Sequence, residues 1–208
     1  MIALVGPMGE RIAVLVSGSG TNLQALLDHP ICGPRIALVV SDRPGVRSLD
    51  RAEEHGVESV VLEPDAFDGR DPFDRALADL LRRHGIDVVV AAGYLRLLGP
   101  AVLDAYGGRI LNVHPSLLPA FPGTRSVADA LAYGVKWTGV SVIVVDEGVD
   151  TGAIVAQEPI EVRPDEDWDS LEARVHEVEH RLLPEATVAL IEGRLKVEGR
   201  RAIVKEAR

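Results

Sequence analysis

The chain has 208 residues, 47% hydrophobic and 26% charged, a globular composition sized for one domain and unlike that of a disordered chain. Its 32 acidic residues outnumber 22 basic ones, and the net charge of −10 repels phosphate backbones and anionic surfaces, so neither nucleic acid nor a membrane is the expected partner. Cys32 is the only cysteine, which precludes an intrachain disulfide and suits a reducing cytoplasm.

Met1–Glu10 is apolar but short, lacks a basic start and carries Gly6, Pro7 and Gly9. It reads as an N-terminal extension, leaving 11–208 as a single domain with a possible C-terminal subdomain. No later apolar run reaches the roughly 18 residues of a spanning helix. Ile12–Val16, Ile36–Ser41, Ser59–Leu62, Val88–Ala92 and Arg109–Val113 are short apolar runs bounded by turn residues. Continuous apolarity marks strands buried on both faces, as in a parallel sheet. Helical patterns alternate with them at Asn22–His29, Val46–His55, Pro72–His84 and Pro100–Tyr106, with Pro72 and Pro100 suited to a first turn. His29, His55 and His84 close such patterns, where a cation suits the dipole. After a helix near Ser126–Tyr133, the runs Val140–Val145 and Ala153–Pro159 flank a short turn and extend the sheet as antiparallel strands. A last helix starts near Asp169 and is expected to kink or break at Pro184. The fold class is therefore α/β: a doubly wound, mainly parallel, Rossmann-like sheet with late antiparallel strands and a C-terminal helix.

Ser17-Gly18-Ser19-Gly20-Thr21-Asn22 follows the first strand and opens the first helix. Glycines admit an anion to the backbone, and helix N-terminal amides point at it. A dinucleotide fingerprint wants a third glycine where Leu23 stands, although Asp42 could imitate the ribose-binding acid. A single phosphate fits better. The plain alternative is a tight turn capped by Thr21 or Asn22.

Asn112-Val113-His114-Pro115 ends the fifth strand, where ligands bind in open α/β sheets. Strand alternation puts Asn112 and His114 on one face, an amide and an imidazole able to polarise a carbonyl and hold an oxyanion. The competing view is a satisfied core histidine beside a turn asparagine. Asp150 lies in the late acidic turn; if the sheet carries it over strand five, its carboxylate favours the imidazolium and helps move a proton.

His176-Glu177-Val178-Glu179-His180 matches H-E-x-x-H, a zinc pattern with Glu177 as base and Glu198 as a third ligand. Pro184 follows closely and the surroundings are strongly charged. An amphipathic helix burying Leu171, Val175, Val178 and Leu182 explains the same residues without metal. No G-x-S-x-G elbow occurs, and nothing around Cys32 suggests a nucleophile.

The segments 17–24 (SGSGTNLQ), 92–98 (AGYLRLL) and 112–119 (NVHPSLLP), followed by Asp150-Thr151-Gly152, resemble the phosphoribosylglycinamide formyltransferases of the formyltransferase superfamily, from about Arg11 to Gly193. The resemblance implies formyl transfer from 10-formyltetrahydrofolate, without a metal, to the amine of glycinamide ribonucleotide in purine synthesis, by a monomer or homodimer. It implies that Gly20, Thr21 and Asn22 hold the substrate phosphate and Glu179 its amine end. It places folate against Arg70, Leu95, Arg96, Leu97, Leu98 and Asn112, with the loop Asp146, Glu147, Gly148, Val149 and Asp150 closing over the pterin. The N-terminal half would then bind mainly the ribonucleotide and the C-terminal half mainly the folate. Asn112 and His114 would polarise the formyl carbonyl, His114 as proton donor, while Asp150 keeps His114 charged and shuttles protons through water.

Three departures stand out: Ile143 where the family often has His, Arg125 and Val127 where some members have His, and Leu95 in place of Met. The alternatives are a 10-formyltetrahydrofolate hydrolase, for whose regulatory domain Met1–Glu10 is too short, a tRNA-directed relative, a zinc hydrolase on His176 and His180, or a plain nucleotide-binding module.

Overall fold

The computed structural model describes residues 10–206, so the expected extension over 1–10 lies, Glu10 apart, outside the described residues. Five parallel strands form the first part of the sheet: β1 (Ile12–Val16), β2 (Ile36–Ser41), β3 (Ser59–Val61), β4 (Val88–Ala91) and β5 (Ile110–His114). Then β6 (Trp137–Val144) runs antiparallel to β5 and β7 (Ala153–Glu161) antiparallel to β6. A hairpin of β8 (Leu195–Glu198) and β9 (Arg201–Val204) completes the order 3-2-1-4-5-6-7-9-8. Sequence reading missed this hairpin, because its strands are short, charged and mostly exposed, so neither face carries an apolar signal.

Alternation along β1 explains the layers. Ile12, Val14 and Val16 join one core with helices α1 (Thr21–Asp28), α2 (Arg47–Glu54), α5 (Ser126–Tyr133) and α6 (Trp168–Ile191). Ala13 and Leu15 join the other, with α3 (Arg70–Arg83) and α4 (Pro100–Tyr106). On β5, Leu111 and Val113 point to the first core and Ile110 to the second, which puts Asn112 and His114 on the second face as strand alternation requires. The fifth strand sits one residue later than expected, taking in His114. His29, His55 and His84 are the residues that cap α1, α2 and α3 at their C-termini, as expected.

The expectation of a break at Pro184 is corrected. Helix α6 runs unbroken from its cap, where the Asp167 side chain accepts from the Ser170 amide at 2.9 Å, through Pro184 to Ile191. A helical proline costs about 3 kcal/mol. Continuing the helix buries Ala186, Val188 and Ala189 beyond it, and burying one valine is worth about 1.5–3 kcal/mol by itself. Packing wins. Leu171, Val175 and Leu182 form the buried stripe, with Val178 packed partly against it.

Candidate active site

β1 lies between β2 and β4, so the chain winds outward in one direction to β3 and in the other through β4 and β5. The loops leaving β1 and β4 diverge at this reversal, and ligands of open α/β sheets bind in the resulting crevice. A cavity of about 420 Å³ occupies it. Its walls are residues 18–22 after β1, 91–98 at the end of β4 and beyond, and 112–115 at the end of β5, together with Gly123, Thr124, Ser126, Ile143, most of the 145–150 loop, and His176 and Glu179 of α6. The Ser17 hydroxyl accepts from the Leu95 amide at 3.1 Å and ties the first two walls together.

At one end the loop before β7 does fold over β5. Asp150 Oδ2 lies 3.3 Å from His114 Nδ1 and accepts from the Gly123 amide at 2.8 Å, while Oδ1 accepts from Asn112 Nδ2 at 3.4 Å. The other imidazole nitrogen, Nε2, is 2.9 Å from the Phe121 carbonyl, which can only accept, so Nε2 carries a proton. Both nitrogens of His114 therefore have partners. Phe121 and Asp150, which grip the ring from opposite ends, have φ of 49° and 52°, the non-glycine positive values among the described residues. Such conformations cost about 1–3 kcal/mol each and persist where surrounding structure imposes them. Here the Ser141 hydroxyl donates to Ser116 O, and Gln157 donates to Leu118 O, anchoring the 116–118 turn on β6 and β7.

The other end is built from α1 and α6. Gly20 adopts φ 72° at the start of α1, and a Cβ there would lie 2.6 Å from Ser48 Cβ, so only glycine fits. The helix has no side-chain cap, leaving the amides of 20–22 open to the cavity and Thr21 and Asn22 without the capping role. Asn22 Nδ2 donates to Glu179 Oε2 at 2.8 Å, and Asn22 Oδ1 is buried without a partner. Burial pushes the Glu179 carboxyl above its usual range, against the pull of Asn22 and of His176, whose Nε2 is 3.9 Å away.

Several sequence-based expectations move. Arg70 lies outside the main cavity, in an adjoining cleft that shares Leu95, Arg96 and Leu97 with it. Glu147 is exposed and not on the cavity wall, unlike Asp146, Gly148, Val149 and Asp150, because the loop turns it outward. Asp42 is buried against Arg43 at 3.3 Å and does not reach the cavity, so it cannot imitate a ribose acid. Glu177 is exposed and Glu198 pairs with Lys196 at 2.6 Å. Among the described residues no group of three or more His, Cys, Asp or Glu is placed to hold a metal, so the zinc reading lacks its third ligand. The His176 and His180 rings instead stack at 5.8 Å. Ile143 stands directly opposite Asn112 across β5 and β6, beside a bulge that leaves Val155 unmatched. Arg125 is exposed beside Asp129, and Val127 is core. Sequence reading missed Phe121, which acts through its carbonyl and so leaves no side-chain signal; Pro122-Gly123 was a visible turn.

The formyl transferase family model matches residues 10–187. The phosphoribosylglycinamide formyltransferase of Bacillus subtilis is 40% identical over 185 residues, covering 88% of this chain and 95% of that protein. The solved glycinamide ribonucleotide transformylase 1 of Symbiobacterium toebii superposes with a TM-score of 0.93 at 44% identity, over 99% of both chains. A formyltetrahydrofolate deformylase from Pseudomonas syringae shares the fold at TM-score 0.87 and 26% identity, over 96% of this chain and 67% of its own.

Proposed function

The chain belongs to the formyl transferase family, and from that premise we propose that it transfers the formyl group of 10-formyltetrahydrofolate to the amine of glycinamide ribonucleotide. The products are formylglycinamide ribonucleotide and tetrahydrofolate, a step of purine biosynthesis. The observation that carries the reading is one cavity with an oxyanion-stabilising end, Asn112, His114 and Asp150, and an anion-binding end, residues 20–22 with Glu179. Glu179 on α6 meets Asn22 on α1, so the ribonucleotide site draws on both halves of the chain.

The phosphate sits on the open amides of Gly20, Thr21 and Asn22, where partial positive charge and close backbone approach coincide. Glu179 holds the ribonucleotide beside Asn22, and the amine extends from there toward Asn112 and His114. The folate ring system enters between the 95–98 wall and the 146–150 loop, with Asn112 beneath. The amine nitrogen bonds to the formyl carbon, the carbon–N10 bond breaks, and one amine proton passes to N10, so charge and atoms balance. Asn112 Nδ2 has only a long bond to Asp150 and can turn its N–H to the developing oxyanion. His114 is held in place by Asp150, and donates to the oxyanion only by releasing Phe121 O. Asp150 relays the proton through water. A monomer or homodimer completes the reading, and the single thiol, Cys32, supports a cytoplasmic setting.

Tetrahydrofolate release is the test. It requires glycinamide ribonucleotide in the transferase. The shared fold of the deformylase makes hydrolysis of the formyl donor the second reading, and release at an equal rate without ribonucleotide would establish it instead.

A further inference from the structure

The wall formed by residues 95–98 follows β4 but is not part of any strand. Leu95 and Leu97 are exposed, and the segment separates the main cavity from the adjoining cleft. What holds it is the first turn of α3, at three points. Arg70 Nη2 donates to the carbonyls of Leu97 at 3.4 Å and Leu98 at 3.2 Å. The Phe73 ring lies 5.4 Å beneath the Arg96 guanidinium. Asp74, 2% exposed, packs its carboxylate directly against Gly99.

Asp74 is the unusual member. Its Oδ2 has no hydrogen-bond partner, and Arg70 Nε approaches only to 3.6 Å. Buried carboxylate oxygens without donors are costly and seldom kept for stability alone. The carboxylate also fills the space where Gly99 lacks a Cβ: one built there would lie 1.5 Å from Oδ2. Side chain and glycine interlock where the wall ends and α4 begins.

We infer that Asp74 is a positioning residue: it pins Gly99, and with Arg70 it sets the place of the 95–98 wall and hence the grip on the formyl donor. Arg70 thereby acts on the folate site through the backbone of Leu97 and Leu98 as well as from the adjoining cleft. The inference rests on the reading that this wall faces folate.

The test is steady-state kinetics with each substrate varied in turn. Asp74→Ala is expected to raise KM for 10-formyltetrahydrofolate about tenfold, with kcat and the ribonucleotide KM changed less than twofold. Asp74→Asn keeps the shape and volume that fill the space beside Gly99 and is expected to stay within threefold of the parent. Gly99→Ala drives the wall away from the carboxylate and raises the same KM. Combined with Asp74→Ala, which empties the space, it adds less than the sum of the two, the mark of direct coupling. Equal rises in both KM values, additive effects, or Asn behaving like Ala overturn the inference. Leu95→Ala, a change in the wall itself, separates the two levels. If it raises the formyl-donor KM while Asp74→Ala does not, the positioning role fails and the folate reading stands. If neither moves it, the folate reading fails as well.

Discussion

Asp150→Asn isolates the charge at the junction of three groups. Asparagine tolerates the left-handed conformation as well as aspartate does, so the φ of 52° adds no new strain. In the parent, Oδ2 faces both Gly123 N and His114 Nδ1, while Oδ1 takes Asn112. If the new amide keeps its oxygen at the Oδ2 position, its NH2 faces the Asn112 amide, donor against donor. If it turns over, it loses Gly123 and His114 instead. The cheaper choice replaces a charge-assisted bond to His114 by a neutral one, a loss of about 1–2 kcal/mol. Disturbing Asn112 costs about another 1–2 kcal/mol. Because both groups serve the oxyanion, these costs fall on the transition state, and kcat drops roughly 30- to 1000-fold. The assay is the initial rate of tetrahydrofolate release at saturating concentrations of both substrates, with thermal unfolding as the control for folding. A variant that unfolds with the parent and keeps kcat within threefold refutes the assignment of Asp150.

Gly20→Ala meets both a left-handed φ, about 1–2 kcal/mol, and a Cβ 2.6 Å from Ser48, a clash of about 1–3 kcal/mol. Its Tm should fall roughly 5–15 °C by scanning calorimetry, with weakened ribonucleotide binding. Glu179 is a carboxyl whose folded pKa is raised by burial, so its contribution to stability is whole below the unfolded value of 4.5 and is lost as pH rises through the folded pKa. Glu179→Gln should therefore unfold at a higher Tm than the parent at pH 7.5, with the gap closing below pH 4.5, while its ribonucleotide KM rises at least tenfold. A Tm gap that stays constant with pH contradicts this. Cys32 is fully buried, and burial pushes its thiol up to about 12. A thiol reagent should leave it unmodified in native protein at pH 8 and titrate one equivalent in denaturant.

The mainly parallel sheet and the strand-end pair were legible because their causes are local. Buried parallel strands must be apolar on both faces, and alternation alone puts Asn112 and His114 on one side of β5. Gly20 was legible as part of a glycine-rich turn suited to an anion, whereas the close approach of Ser48 that excludes a Cβ there is set by tertiary packing. Where long-range packing decides, sequence gave the wrong answer or none. Pro184 carries a helix-breaking signal that burial of the following turn overrides. The hairpin β8–β9 presents no apolar periodicity, and Glu147 is turned out of the cavity by a loop whose neighbours point in. Phe121 reaches His114 through a backbone carbonyl that every residue possesses. Asp150 lies 36 residues beyond His114, and no local pattern joins a carboxylate in a surface turn to an imidazole on a central strand. Two antiparallel strands fold that turn back over β5 and bring the pair to 3.3 Å. The chain's chemistry was thus written in residue types, whereas the distances that let those residues act together belong to the folded sheet.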